Sequence, residues 1–158
     1  MPLFKNPQAT KDFVNSATIL MENLMAPRRN VVGTMVEIMG IGVLIEGRPG
    51  MGKSETALGL IKKGYALISD DVTSMRRDST GAIIGSPVDA TRYHMEIRGM
   101  GIIHVPSLFG VRAVRPEKKL DLFATLTDAS QLEKEDRSGM VRRSQTVLGC
   151  ELPQVLIG

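Results

Sequence analysis

At 158 residues, 42% of them hydrophobic, the chain is long enough for one domain with a substantial apolar core. A formal net charge of +3 suits an anionic ligand without singling out nucleic acid, and 4% aromatic content with no Trp argues against a base-stacking surface. The single Cys150 excludes an internal disulfide and a cysteine-rich zinc cluster, no apolar run reaches the ~20 residues of a membrane span, and no signal-peptide pattern opens the chain, so a cytoplasmic protein is expected.

Residues 1 to 9 read as a loose end, and Thr10 to Met25 as an amphipathic helix with Phe13, Ala17, Leu20 and Leu24 near one face. Ala26-Pro27-Arg28-Arg29 ends it, setting an N-terminal segment, 1–25, apart from a core spanning 26–158. The helix's apolar face is expected to pack on that core or on a neighbouring subunit rather than on a membrane. Val31 to Ile38 predicts one strand, which turns at Met39-Gly40 into the apolar run Ile41 to Glu46, a buried strand.

Gly47 to Ser54, Gly-Arg-Pro-Gly-Met-Gly-Lys-Ser, fits G-x-x-x-x-G-K-[ST], the phosphate-binding loop. Its context is right, because Ser54 to Lys63 has roughly helical apolar spacing and Gly64 stops it. Gly47, Gly50 and Gly52 free the backbone to turn its N–H groups onto phosphate oxygens, with Arg48, Pro49 and Met51 completing the loop. Lys53 can reach the β- and γ-phosphates and the Ser54 hydroxyl can ligate Mg²⁺, which makes ATP and Mg²⁺ the expected cofactors. A glycine-rich turn that merely joins strand to helix would leave Lys-Ser unexplained.

Tyr65 to Ser69 is strand-like again and ends in Asp70-Asp71, where P-loop proteins often keep a metal-linked aspartate. Adjacent carboxylates at a strand end point in different directions. One can take the proton of an attacking hydroxyl while the other holds Mg²⁺ through water; a turn or N-cap pair is the plainer alternative. Glu55 is either a first-turn helix acid or an acid that needs a metal or Arg beside it. Strand, loop, helix and strand in this order argue an α/β architecture with its ligand at the carboxyl ends of the strands.

Residues 76 to 81 are a polar turn, Ala82 to Gly85 a short strand, and Pro87 the start of a loop. Tyr93 to Ile97 and Ile102 to Val105 bracket Arg98-Gly99-Met100-Gly101. Leu120 to Leu126, Gln145 to Cys150 and Gln154 to Ile157 are the remaining strands. The highly charged stretch 127–143 is too long for a tight connection and reads as a functional loop, with a solvated excursion as the alternative. His94 and His104 alone make a poor metal site. The chain stops at Gly158 after an apolar strand, which reads as a domain cut short.

Gly52-Lys53-Ser54-Glu55-Thr56-Ala57-Leu58, Gly64 with Asp70-Asp71, and Glu96-Ile97-Arg98-Gly99-Met100-Gly101-Ile102-Ile103 together closely resemble the bacterial HPr kinase/phosphorylase catalytic domain. So do Leu108-Phe109-Gly110, Ala113-Val114-Arg115 and Asp136-Arg137-x-Gly139, in order from about Ala26 to Ile157. The resemblance implies a P-loop kinase core like that of PEP carboxykinase, a mixed sheet with flanking helices. It implies ATP-dependent phosphorylation of a serine on HPr, the phosphocarrier protein of the sugar phosphotransferase system, with phosphorolytic removal of that phosphate as a second activity, and a hexamer. Carried over by position, Asp70 is the general base, Lys53 holds the phosphates, Ser54 and Glu96 sit at Mg²⁺, and Arg137 approaches the transferring phosphoryl group. Asp71 and Glu55 become supporting acids, and Arg98 orients the acidic cluster.

Three departures stand out. Val32 occupies the position of a family histidine, Arg48-Pro49 replaces the family's Asp-Ser in the loop, and Gly158 ends the chain where the family continues with Pro-Val-x-x-Gly-Arg. They leave kinase chemistry better supported than phosphorylase chemistry. They also keep open a P-loop kinase with a different acceptor, and a nucleotide-binding module without catalysis.

Overall fold

The computed structural model describes residues 7–128 and 143–158. Two sheets lie back to back. The larger has six strands, β2 (Thr34–Ile38), β3 (Ile41–Glu46), β4 (Ala66–Ser69), β10 (Leu122–Leu126), β11 (Arg143–Val147) and β12 (Cys150–Ile157), in the order β11-β12-β10-β3-β2-β4. It is mixed: β10 runs parallel to β3 and β12, and the other pairs are antiparallel. The smaller sheet is antiparallel and contains β1 (Arg28–Val32), β5 (Val72–Arg77), β6 (Ile83–Pro87) and β9 (Lys118–Lys119), in the order β1-β5-β6-β9.

Strands β3 and β4 of the larger sheet read as near-continuous apolar runs because both their faces are covered, whereas β11 and β12 alternate half-buried and exposed positions. Val36, Val43, Ile45, Leu67 and Ala124 point to one face and meet Ala57, Leu58 and Ile61 of helix α2 (Lys53–Lys62). Their neighbours Met35, Leu44, Ile68 and Phe123 point to the other and meet Met75 and Ile83 of the smaller sheet. The hairpin of β7 (His94–Ile97) and β8 (Gly101–His104) adds Met95 and Ile97 to the helical layer, followed by the short helix α3 (Val105–Phe109). Helix α1 (Pro7–Met25) begins earlier than expected, with Pro7 at a first-turn position that tolerates a missing N–H.

Several expected boundaries shift for physical reasons. The single strand expected over Val31 to Ile38 is two, because the chain leaves one sheet for the other at Gly33. The strand expected over Gln145 to Cys150 is interrupted by a two-residue turn, Leu148-Gly149, both at positive φ (49 and 77). Pro87 does not open a loop; it ends β6 opposite Thr73. Strand β5 went unrecognised because its sequence, Val-Thr-Ser-Met-Arg-Arg, is half polar and buries fully only Thr73 and Met75.

Candidate active site

The two sheets are joined by one long antiparallel ribbon. Val32 pairs with Val72 in the smaller sheet and Met35 with Ser69 in the larger, so Gly33 and Thr34 face Asp71 and Asp70 where the ribbon passes between sheets. The crossing is stitched by the Gly33 N–H donating to the Asp71 carbonyl at 2.7 Å and by the Thr73 hydroxyl donating to the Gly33 carbonyl at 3.0 Å. Asp71 takes φ 66 there, a left-handed conformation that aspartate tolerates better than most residues. Val32, at the family's histidine position, is exposed beside this seam.

The seam gives the two aspartates unlike surroundings. Asp70 is buried, and its Oδ1 accepts from the hydroxyls of Thr34 (2.9 Å) and Ser54 (2.8 Å), while its Oδ2 accepts from the Glu96 N–H at 3.3 Å. Thr34 also accepts from the Asp71 N–H at 3.3 Å. The Asp71 side chain is exposed and lines a cleft with no hydrogen-bond partner among the described residues. Thr34 is the site residue that sequence reasoning missed; a threonine in a strand is normally read as β-branched filler.

Across the cleft, Gly50 and Gly52 hold φ 86 and 90, which bends the loop back before α2 begins at Lys53. The Lys53 ammonium donates to the Gly47 carbonyl at 2.9 Å, bridging the loop's two ends. Thr56 closes the first turn, its N–H and hydroxyl both donating to the Gly52 carbonyl. The resulting cleft, about 600 Å³, is lined by Pro49 through Glu55, by Asp70 and Asp71, and by Glu96, Ile97, Arg98, Gly99 and Gly101 from the β7–β8 hairpin.

Most of the expected site residues therefore converge. Gly47 and Arg48 stay outside the lining, and Arg48 instead pairs with Asp128 at 3.3 Å. Arg98 lies next to Gly50, its Nη2 3.6 Å from where a Cβ would sit, and among the described residues no ion pair joins it to the acidic cluster. Arg137 falls outside the described residues, as does most of the 127–143 stretch. Lys53 and Arg98 face Glu55, Asp70, Asp71 and Glu96, an excess of carboxylates that a polyanionic ligand tolerates only with cations beside it. Among the described residues no helix is long and apolar enough to cross a membrane.

Residues 23–158 match the sequence model of the family described as HPr Serine kinase C-terminal domain. The chain belongs to that family. Its relatives in the HPr serine kinase family include the HPr kinase/phosphorylase of Leptospira biflexa, 40% identical over 99% of this chain and 49% of the relative. The HPr kinase/phosphorylase of Geobacter sulfurreducens is 36% identical over 99% of this chain and 49% of its own length. The chain thus spans about half the length of the curated relatives it matches. Among solved structures, the Hpr(Ser) kinase/phosphatase of Coxiella burnetii superposes with a TM-score of 0.75 at 32% identity, covering 82% of this chain and 85% of that one. The HPr serine kinase fold expected from the Gly-Lys-Ser and Glu-Ile-Arg-Gly blocks is the fold observed.

Proposed function

We propose that this chain is the catalytic core of a kinase that transfers the γ-phosphoryl group of ATP to a serine hydroxyl of HPr, the protein its relatives are named for. One observation carries the reading: a phosphate loop meets, in one cleft, two adjacent carboxylates of unlike environment. Proton transfer from an incoming hydroxyl needs a carboxylate with a free lone pair within reach of that hydroxyl. Asp70 is already occupied by two hydroxyls and an amide, whereas Asp71 is exposed with its oxygens open. We therefore assign proton acceptance to Asp71 and give Asp70, the base expected from the resemblance, the task of holding Ser54.

Lys53 and the loop amides bind the phosphates, Lys53 exchanging the Gly47 carbonyl for a phosphate oxygen. The residues fit Mg²⁺: Ser54, held by Asp70, and Glu96 are hard oxygen donors, and no group of three His, Cys, Asp or Glu side chains among the described residues forms a ready-made cage. Such a sparse set suits an ion that binds largely through substrate phosphates. When bound, Mg²⁺ supplies neutralisation of charge on the phosphates. The resemblance assigns Arg137 to the transferring phosphoryl group. It also carries the hexamer, which the exposed apolar side chains of Ile102, Leu108 and Val111 support. In the reverse sense, Asp71 would return its proton to the serine as phosphate takes the phosphoryl group to give pyrophosphate.

The test is transfer of labelled phosphate from ATP and Mg²⁺ to purified HPr. Asp71→Asn should lower the rate by about 10²-fold or more with nucleotide still bound. Asp70→Asn should weaken Mg²⁺-dependent nucleotide binding as well. Unimpaired transfer by Asp71→Asn would return the base to Asp70, and transfer to a small metabolite but not to HPr would sink the acceptor assignment.

A further inference from the structure

The two histidines, which read from the sequence as a poor metal site, are brought side by side by the β7–β8 hairpin. His94 and His104 are direct cross-strand partners, both exposed, with ring centroids 4.9 Å apart and planes tilted by 46°. Stacked rings would be near parallel. Two imidazoles bound to one tetrahedral ion at about 2.0–2.1 Å through nitrogen place their centroids roughly 5 Å apart, the spacing found here.

The outer nitrogens strengthen the case. His94 Nδ1 lies 2.8 Å from the Arg92 carbonyl, which can only accept, so Nδ1 is the donor and in the neutral ring Nε2 is left free to ligate. His104 Nδ1 lies 2.6 Å from the Ser107 hydroxyl, which can accept from it in the same way. A histidine that ligates a metal characteristically donates its other N–H to such a partner, which fixes tautomer and ring direction. The guanidinium of Arg92, two residues before His94, is held at 3.0 Å by Asp89.

We propose that His94 and His104 form a two-histidine site for a late first-row divalent ion such as Cu²⁺, Ni²⁺ or Zn²⁺. Imidazole nitrogen selects these ions over Mg²⁺, so the site is chemically separate from the oxygen donors of the cleft. No third His, Cys, Asp or Glu among the described residues completes a ligand group, and the remaining coordination positions belong to water. An ion there joins β7 to β8 across the open end of the hairpin that carries Glu96 and Arg98. A two-stranded hairpin is only marginally stable alone, so the crosslink stiffens one wall of the cleft.

The experiment is calorimetric titration of the full chain with CuCl₂, NiCl₂ and ZnCl₂ after chelator treatment, in a non-coordinating buffer. One ion per chain is expected, tightest for Cu²⁺, together with a rise in Tm. His94→Asn and His104→Asn should each remove the binding while leaving the metal-free Tm unchanged, as both side chains are exposed. Ser107→Ala should weaken it about tenfold through the lost support of His104. In the unaltered chain, paramagnetic Ni²⁺ should broaden the NMR signals of both imidazoles before any other, a reading that needs no variant. Undiminished affinity in a chain carrying both His→Asn changes, loss of binding on Cys150→Ser, or no saturable binding by the unaltered chain would each overturn the proposal.

Discussion

At the scale of single residues, Thr34 couples the fold to the chemistry. Its side chain is wholly buried, donates to Asp70 and accepts from the Asp71 N–H, so one hydroxyl sets the position of both acids. Thr34→Val keeps the shape but removes both bonds, leaving a carboxylate short of a donor and an amide short of an acceptor. Unsatisfied buried groups cost about 1–3 kcal/mol, and urea denaturation should show a loss in that range, with Thr34→Ser restoring most of it. If the proposed function holds, phosphotransfer should fall further than stability alone explains, because Asp70 loses its alignment on Ser54. Equal stability for Thr34→Val and the unaltered chain would show that the hydroxyl is dispensable.

At the scale of elements, the turn between β5 and β6 depends on one carboxylate. Asp78 Oδ1 accepts from the Thr80 hydroxyl, the Thr80 N–H and the Ala82 N–H, and the Thr80 hydroxyl foremost holds its pKa below the ordinary carboxylate range. A depressed folded-state value stabilises the turn above the unfolded carboxylate pKa and loses that effect as pH falls through the folded one. The protection factors of the Thr80 and Ala82 amides, taken against the intrinsic exchange rate at each pH, should therefore fall in acid, and Asp78→Asn should blunt that pH dependence. Elements whose partners are local were legible beforehand: β3 over Ile41 to Glu46, the P-loop helix, and the glycine turn between β7 and β8. What escaped depends on distant partners. Nothing local in Val31 to Ile38 says that Gly33 changes sheets, and nothing in Val72 to Arg77 says that a half-polar segment is paired on both edges. The acid pair was legible as a pair, but its division of labour was not, because only the ribbon pairing puts Thr34 beside Asp70.

At the scale of the whole molecule, the sheets also touch where the chain returns from β9 to β10. Gly42 accepts from the Asp121 N–H at 2.8 Å and donates to its carboxylate at 3.0 Å, and a Cβ on Gly42 would fall 1.9 Å from the Lys119 carbonyl oxygen. Gly42→Ala must push backbone from backbone. Overpacking of this kind costs about 1–3 kcal/mol or more. In a domain of this size that is roughly 2–4 °C of Tm per kcal/mol, readable by calorimetry. No change in Tm would mean that the two segments separate freely. The seam at Gly33 and Asp71 has a different consequence. Many active sites sit on loops that loosen well before their scaffold melts. Here the two acids exist as a site only while both sheets are docked, since each strand of the ribbon belongs to one sheet on one side of them and to the other sheet on the far side. In a denaturant series, catalytic activity and tertiary structure should disappear together, at a common midpoint, with no window in which a folded but inactive protein accumulates.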